Sequence, residues 1–120
     1  MFVWRRFSIS CAHWLPDHPK CGVMHGHNYT IELGIEGHVG VDGMIVDFSE
    51  VKSKLIQPIV EAWDHKILNT VIEVIPTAEN MAILLGKEVG YKLQTLFDEQ
   101  LTLRCVRIYE TDDCWVELWF

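Results

Sequence analysis

Positive charge is scarce in this sequence: ten Lys and Arg residues stand against seventeen Asp and Glu residues, and the formal net charge is −7. Proteins that bind nucleic acids through a general basic surface need the opposite balance, so we expect no nucleic-acid partner. Long apolar runs are also absent, which predicts no transmembrane helix and no membrane partner. No apolar stretch of signal-peptide length follows Met1, and we therefore expect a cytoplasmic protein.

Proline and cysteine are few, with four residues of each in a chain of 120. The even number of cysteines would permit disulfides, but an acidic chain without a signal peptide predicts reduced thiols. The length and the 49% share of hydrophobic residues fit a single folded domain, residues 1–120.

Alternating apolar patterns predict strands over residues 1–13, 25–37, 101–110 and 114–120. Apolar residues at helical spacing predict one helix that begins after Asp47 and a second that begins after Pro76, while Pro58 should kink the first helix or end it early. The order β-β-α-α-β-β indicates an α+β fold, a four-stranded antiparallel sheet with both helices on one face. Its edge strands are poorly protected, which predicts assembly between chains.

Three histidines form a candidate metal site. His25 and His27 lie two residues apart at the start of a predicted strand, so both imidazoles point to one face. His13 ends the preceding strand and could supply a third ligand. Three protein ligands with an open fourth position are typical of catalytic zinc. Cys21 could close the site as a fourth ligand or act beside the metal as an acid or base, and a simple polar turn at 25–27 is the plainer alternative.

Two further positions carry residue types suited to catalysis. Asp64 and His65 follow the first predicted helix, where His is suited to proton transfer near neutral pH and Asp can orient an imidazole. A helix-terminal His stabilised by the dipole is the simpler explanation. Glu110 ends a strand and could accept two N–H groups from a planar heterocycle, or be an ordinary solvated carboxylate. His18 and His38 are predicted to be surface residues.

Six motifs in this chain occur in the order found in the 6-pyruvoyl-tetrahydropterin synthase / 6-carboxytetrahydropterin synthase family, which the chain resembles over nearly its whole length. The motifs are residues 10–13, 21–29, 43–48, 64–69, 76–80 and 110–111. The resemblance implies the tunnelling fold (T-fold), in which trimers close twelve strands into a barrel and two trimers stack into a homohexamer.

The resemblance also implies the composition of the metal site. It places a zinc ion on His13, His25 and His27. It makes Cys21 a catalytic proton-transfer residue beside the metal rather than a ligand. Cys11 departs from the family, which usually has Ala at this position, and a thiol two residues from a zinc ligand could perturb the site.

Further roles follow from the same resemblance. Asp64 and His65 would complete the catalytic set with the cysteine, across a subunit boundary. Glu110 would anchor the pterin ring of the substrate. Thr77 and Glu79 would lie near the pterin pocket as supporting substrate-binding residues. The residues that hold a triphosphate are not identified by the motifs, and only position or charge suggests three lysines: Lys20, Lys66 and Lys87.

The short interval of three residues between Cys21 and His25 resembles the 6-carboxytetrahydropterin synthases. The implied lyase reaction takes a pterin triphosphate, 7,8-dihydroneopterin triphosphate, to 6-carboxytetrahydropterin, acetaldehyde and triphosphate in queuosine/7-deazaguanine biosynthesis. Two alternatives remain open. One is the 6-pyruvoyl-tetrahydropterin synthase reaction on the same scaffold, and the other is a non-catalytic domain with a structural zinc ion bound by Cys21 as fourth ligand.

Overall fold

A four-stranded antiparallel sheet organises the molecule. A computed structural model describes all residues, 1–120. The strands are β1 (Phe2–His13), β2 (His25–Glu36), β3 (Thr102–Thr111) and β4 (Cys114–Trp119). They lie in the order β1-β2-β3-β4, each antiparallel to its neighbour. The predicted α+β fold class and four-stranded antiparallel sheet are confirmed.

The first predicted helix forms in three consecutive pieces, which are α1 (Phe48–Val51), a π-helical turn (Lys52–Ile56) and α2 (Gln57–Trp63). Asp47 caps α1, because its side chain accepts a hydrogen bond from the backbone N–H of Ser49 at 2.8 Å. Pro58 lies in the first turn of α2. Because proline has no backbone N–H, it cannot donate a hydrogen bond to the preceding turn, which has the wide π-helical form. The helix continues past it to Trp63, so of the two predicted outcomes, a kink or an early end, the early end does not occur.

The second predicted helix is α4 (Ala78–Leu96), preceded by the one-turn helix α3 (Leu68–Val71). Thr77 caps α4, as its hydroxyl accepts from the backbone N–H of Asn80 at 3.2 Å. The short α3 was not predicted, because four residues are too few to show a helical apolar period. None of the helices combines the length and the apolarity needed to cross a membrane.

The two faces of the sheet differ in chemistry. The helix-covered face contributes fully buried side chains to the core, among them Ile31, Leu33, Ile35, Val106 and Ile108. On the opposite face, Glu32 is only 7% exposed and accepts a hydrogen bond from Arg6 at 2.7 Å. Burial alone would raise the pKa of Glu32, but the hydrogen bonds from Arg6 and Tyr109, with the charges of Arg6 and Arg107, outweigh burial and keep the pKa low.

Both sheet edges are open in the single chain, because the strand order leaves β1 and β4 each with one neighbour. Apolar side chains at the C-terminus are half exposed: Trp115 at 52%, Trp119 at 53% and Phe120 at 52%. Unpaired edges beside exposed aromatic residues are typical of a surface that pairs with another chain.

Gly86 and Gly90 lie one turn apart on α4 and provide a matched stability test. A Cβ at Gly86 would overlap the ring of Phe120, whereas a Cβ at Gly90 would meet nothing within 4 Å. Replacing a helix-interior Gly by Ala gains up to about 1 kcal/mol. We expect Gly90→Ala to raise the free energy of unfolding by about this amount and Gly86→Ala to raise it clearly less. Chemical denaturation at one protein concentration measures both, and an equal gain would contradict the expected overlap.

Candidate active site

The pairing of β1 with β2 brings the three histidines together. His13 lies opposite His25 in the ladder, and Cys11 lies opposite His27. Side chains of directly opposed residues point to the same face, so all three imidazoles meet on one side of the sheet. Their nitrogen donor atoms lie within 4.8 Å of one another. The histidines that the sequence predicts to share a site could therefore hold a metal ion.

Backbone carbonyls orient two of the three rings. The Nδ1 atom of His13 lies 2.7 Å from the carbonyl oxygen of Pro76, and Nδ1 of His25 lies 2.8 Å from that of Val23. Because a carbonyl oxygen only accepts, each Nδ1 carries the proton and each Nε2 presents a lone pair. These two Nε2 atoms face each other at 3.1 Å. Facing lone pairs favour a shared cation, and outer hydrogen bonds of this kind are usual for metal-binding histidines. The donor set therefore fits a metal.

The electrostatic surroundings of His27 support the same conclusion. Burial lowers the pKa of His27, the carboxylate of Glu110 opposes this effect, and the nearby His13 and His25 add to it. A lowered pKa keeps the imidazole in the neutral form that binds metal ions. Tyr29, fully buried beside the histidines, has its phenol pKa raised, mainly by burial, so its hydroxyl stays neutral.

A cavity of about 400 Å³ opens over the histidines, and we call it the metal cleft. Its lining also includes Leu15, Lys20, Cys21, Val23 and Glu110. The structure thus places Cys21 and Glu110 beside the candidate metal site. Cys21 does not belong to the compact donor set of the three histidines. Lys20 is the one lysine of the lining, whereas Lys66 and Lys87 lie elsewhere.

His65 lines a different cavity, of about 380 Å³, which shares only His27 with the metal cleft. We call this cavity the His65 cleft. The Nδ1 atom of His65 lies 2.9 Å from Asp64, although residues adjacent in sequence rarely bond side chain to side chain. The positive φ of 57° at His65 allows this contact. The structure therefore joins Asp64 to His65 but does not bring either into the metal cleft of the same chain.

Asp64 is itself fixed to β1. Its carboxylate accepts a hydrogen bond from the backbone N–H of Ser10 at 2.8 Å, and the N–H of His65 donates to the carbonyl of Ser10 at 2.7 Å. The hydrogen bond from Ser10, followed by the contact with His65, lowers the pKa of Asp64. A carboxylate held in its ionised form can orient the imidazole beside it.

The thiol of Cys11 is engaged in a hydrogen bond of its own and is not one of the candidate metal ligands. The buried thiol lies 3.1 Å from the carbonyl oxygen of Trp63, to which it donates. Burial raises the pKa of Cys11 to about 12, and the charge of Asp64 adds to the effect. The thiol is therefore neutral and engaged, and it is not part of the metal donor set. The departure from Ala at this position adds no competing ligand.

Thr77 and Glu79 line neither the metal cleft nor the His65 cleft. Thr77 caps α4, and Glu79 is an exposed residue of the first turn of that helix. The residue of this segment that touches the site is Pro76, whose carbonyl orients His13. Sequence reasoning missed this contact because a backbone carbonyl leaves no signature in the choice of residue.

Two other residues near the site escaped sequence reasoning. The side chain of Asn69 makes two hydrogen bonds to the backbone of Trp14, at 3.0 and 2.9 Å, and so fixes the start of the loop that carries Cys21. His18, expected to be an ordinary surface residue, accepts hydrogen bonds from the backbone of Lys20 and Cys21. The only available signal was the place of His18 three residues before Cys21.

Comparison with known proteins assigns the family. Residues 2–119 match the profile of the family described as 6-pyruvoyl tetrahydropterin synthase. The chain belongs to this family. The membership covers nearly the whole chain, confirms the resemblance inferred from the six motifs, and makes the protein an enzyme of the tetrahydropterin synthase type, a lyase.

Relatives in the family include both named activities. A protein of Archaeoglobus fulgidus, provisionally named a 6-carboxy-5,6,7,8-tetrahydropterin synthase, is 40% identical over 111 residues, covering 92% of this chain and 89% of the relative. The 6-carboxy-5,6,7,8-tetrahydropterin synthase of Rickettsia typhi is 30% identical, covering 95% and 96%. The solved structure of Caenorhabditis elegans 6-pyruvoyl tetrahydropterin synthase superposes with a TM-score of 0.84 at 25% identity, covering 100% of this chain and 95% of that one. This structural match confirms the T-fold of the subunit.

The metal site can be tested by removing one imidazole. We expect the purified enzyme to carry about one divalent metal ion per chain, as open three-ligand sites usually do. His27→Ala removes one of three ligands and should lose the metal. His38→Ala, in an exposed loop, is the matched control and should retain it. Elemental analysis of both proteins after identical dialysis measures the difference. Full occupancy in the His27→Ala protein would contradict the assigned ligand set.

Proposed function

We propose that this family member is a zinc-dependent 6-carboxy-5,6,7,8-tetrahydropterin synthase. It converts 7,8-dihydroneopterin triphosphate and water to 6-carboxytetrahydropterin, acetaldehyde and triphosphate, in queuosine/7-deazaguanine biosynthesis. The observation that carries the proposal is the metal cleft, in which three imidazole donors, a thiol, a lysine and a carboxylate line one cavity. The names of the relatives from Archaeoglobus fulgidus and Rickettsia typhi support the choice of the carboxy-forming reaction.

Zinc is the metal that suits this donor set, because it favours nitrogen ligands and keeps an open position in catalytic sites. His13, His25 and His27 would hold it. When bound, the ion supplies Lewis acidity toward the side-chain oxygens of the substrate. Cys21, which lines the cleft without belonging to the donor set, moves a proton at a side-chain carbon of the pterin substrate.

The two charged residues of the metal cleft bind opposite ends of the substrate. Glu110 accepts hydrogen bonds from the N–H groups of the pterin ring, since an ionised carboxylate offers two acceptor oxygens to a planar heterocycle. Lys20 contacts the triphosphate, because it is the one lysine in the lining. Thr77 and Glu79 act only indirectly. Thr77 is the cap and Glu79 a first-turn residue of α4, and Pro76, which directly precedes the cap, orients His13.

The active unit is an assembly of chains, each a single T-fold domain formed by residues 1–120, located in the cytoplasm. We propose a homohexamer, a dimer of trimers, in which the open edges of β1 and β4 pair between subunits. The two clefts of the single chain support this arrangement. Cys21 lines the metal cleft, whereas His65, with Asp64 paired to its imidazole, lines the His65 cleft. The catalytic set of these three residues is therefore completed by a neighbouring subunit.

Product analysis tests the proposed reaction. Incubation of the zinc-loaded enzyme with 7,8-dihydroneopterin triphosphate should release acetaldehyde and triphosphate in equal amounts, together with a 6-carboxylated pterin. The sister activity, the 6-pyruvoyl-tetrahydropterin synthase reaction, releases triphosphate without acetaldehyde. Similarity to the 6-pyruvoyl tetrahydrobiopterin synthase of Dictyostelium discoideum, 34% identical over 102 residues, keeps it as the second candidate. A pyruvoyl product would replace the first proposal by the second.

Complementation between inactive variants tests the shared site. Cys21→Ala and His65→Ala should each retain metal and lose turnover, because each removes one member of the proton-transfer set. Co-expression with two different affinity tags, followed by sequential purification, isolates mixed oligomers. In an equal mixture that assembles at random, about one quarter of the sites would combine an intact Cys21 of one chain with an intact His65 of a partner chain. The activity should therefore recover to about one quarter of that of the unaltered enzyme.

The control for complementation is each variant co-expressed with a differently tagged copy of itself, which should stay inactive. Mixed oligomers that are as inactive as these controls would show that the three residues do not meet across a subunit boundary.

A further inference from the structure

The loop between β1 and β2, residues 14–24, contributes four residues to the lining of the metal cleft: Leu15, Lys20, Cys21 and Val23. Its backbone is closed by a hydrogen bond from the N–H of Leu15 to the carbonyl of Cys21 at 2.8 Å. The chain reverses within this closed segment at Asp17, which has a positive φ of 63°. The position of the Cys21 thiol in the cleft therefore depends on how residues 15–21 are held.

His18 accepts most of the hydrogen bonds that hold this segment together. Its Nδ1 atom accepts hydrogen bonds from the backbone N–H of Cys21 at 2.8 Å and from that of Lys20 at 3.2 Å. Its backbone carbonyl accepts from the N–H of Gly22 at 3.0 Å. Three successive backbone N–H groups thus end on one residue. Because Nδ1 accepts, the ring is neutral with its proton on Nε2.

The packing of Gly22 shows how tightly the segment closes on His18. A Cβ at Gly22 would lie 2.6 Å from the carbonyl oxygen of His18, a backbone atom that cannot move aside alone. The imidazole of His18 itself is exposed and lines neither of the two clefts. Any effect of His18 on catalysis must therefore pass through the residues whose backbone it holds.

We infer that His18 is a positioning residue, whose Nδ1 acceptor fixes the backbone at Lys20 and Cys21 and so sets the place of both side chains over the three histidines. The inference rests on the proposed function, in which these two side chains act on the substrate. It assigns the essential property to the acceptor atom rather than to the bulk of the ring.

Two substitutions of His18 distinguish the effect of its Nδ1 acceptor atom from the effect of its aromatic ring. His18→Phe keeps an aromatic ring and removes the acceptor. His18→Asn removes the ring and keeps an acceptor, since Asn side chains commonly accept from backbone N–H groups two residues ahead. His38→Ala, in another exposed loop, is the control and should behave as the unaltered enzyme.

The first measurement needs no turnover. Limited alkylation with iodoacetamide, quantified by peptide mapping, gives the rate at Cys21 relative to that at Cys114, an internal reference outside the loop in the same chain. We expect His18→Phe to raise this ratio at least about threefold, since a loop that loses two hydrogen bonds opens more often. His18→Asn should return the ratio close to that of the unaltered enzyme. Metal content and melting temperature, measured in parallel, identify a variant that has lost its fold.

The second measurement is the kcat for the pterin triphosphate. His18→Phe should lower kcat about tenfold, as expected when a reacting group is displaced by the loss of about 1.4 kcal/mol of positioning, and His18→Asn should recover most of it. An unchanged alkylation ratio in His18→Phe would overturn the inference, as would a His18→Asn protein as impaired as His18→Phe. If the unaltered enzyme shows no turnover, the proposed function fails, while the alkylation ratios still decide the role of His18 in the loop.

Discussion

The pairing register of β1 and β2 is the constraint on which the site depends. It sets His13 opposite His25 and places His27 on the same face of the sheet. A slip of one residue would turn every side chain of β1 to the other face, because side chains alternate along a strand. The apolar pairs Ile9–Tyr29 and Phe7–Ile31 of the same ladder oppose such a slip, since it would expose the buried Ile9 and remove Phe7 from its packing against the core. Core packing and metal-site geometry are therefore secured by the same register.

Backbone groups make up most of the support around the site. The carbonyls of Pro76 and Val23 orient two imidazoles, and the N–H of Ser10 holds the carboxylate of Asp64. Ser10 lies in β1 and Pro76 directly precedes the cap of α4, so these two backbone groups move little and hold functional side chains more firmly than flexible side chains would. The loop that carries Cys21 lacks such regular support, and the side chains of Asn69 and His18 take over this task.

The single chain contains an incomplete version of the proposed site. The metal cleft and the His65 cleft lie side by side and share His27, yet Cys21 and His65 line different cavities. The open edges of β1 and β4 give each subunit two places to pair with another. Assembly would then serve both stability and chemistry, because the same contacts that cover the edges would bring a partner's imidazole to the thiol.

The sequence by itself determined the family, the order of the strands and the two main helices, the starts of those helices close to Asp47 and Pro76, and the common face of the histidines. These features depend on local spacing, so periodicity and motifs reveal them. Only the tertiary structure decided which nitrogen of His13 is available to a metal ion, because the Pro76 carbonyl that settles it lies 63 residues away in the chain. The tertiary structure alone showed that Cys21 and His65 line different cavities of one chain. It alone showed that the exposed His18 accepts backbone hydrogen bonds from the loop that carries Cys21. Such relations depend on backbone hydrogen bonds between distant segments, and the residue types along the chain do not encode them one by one.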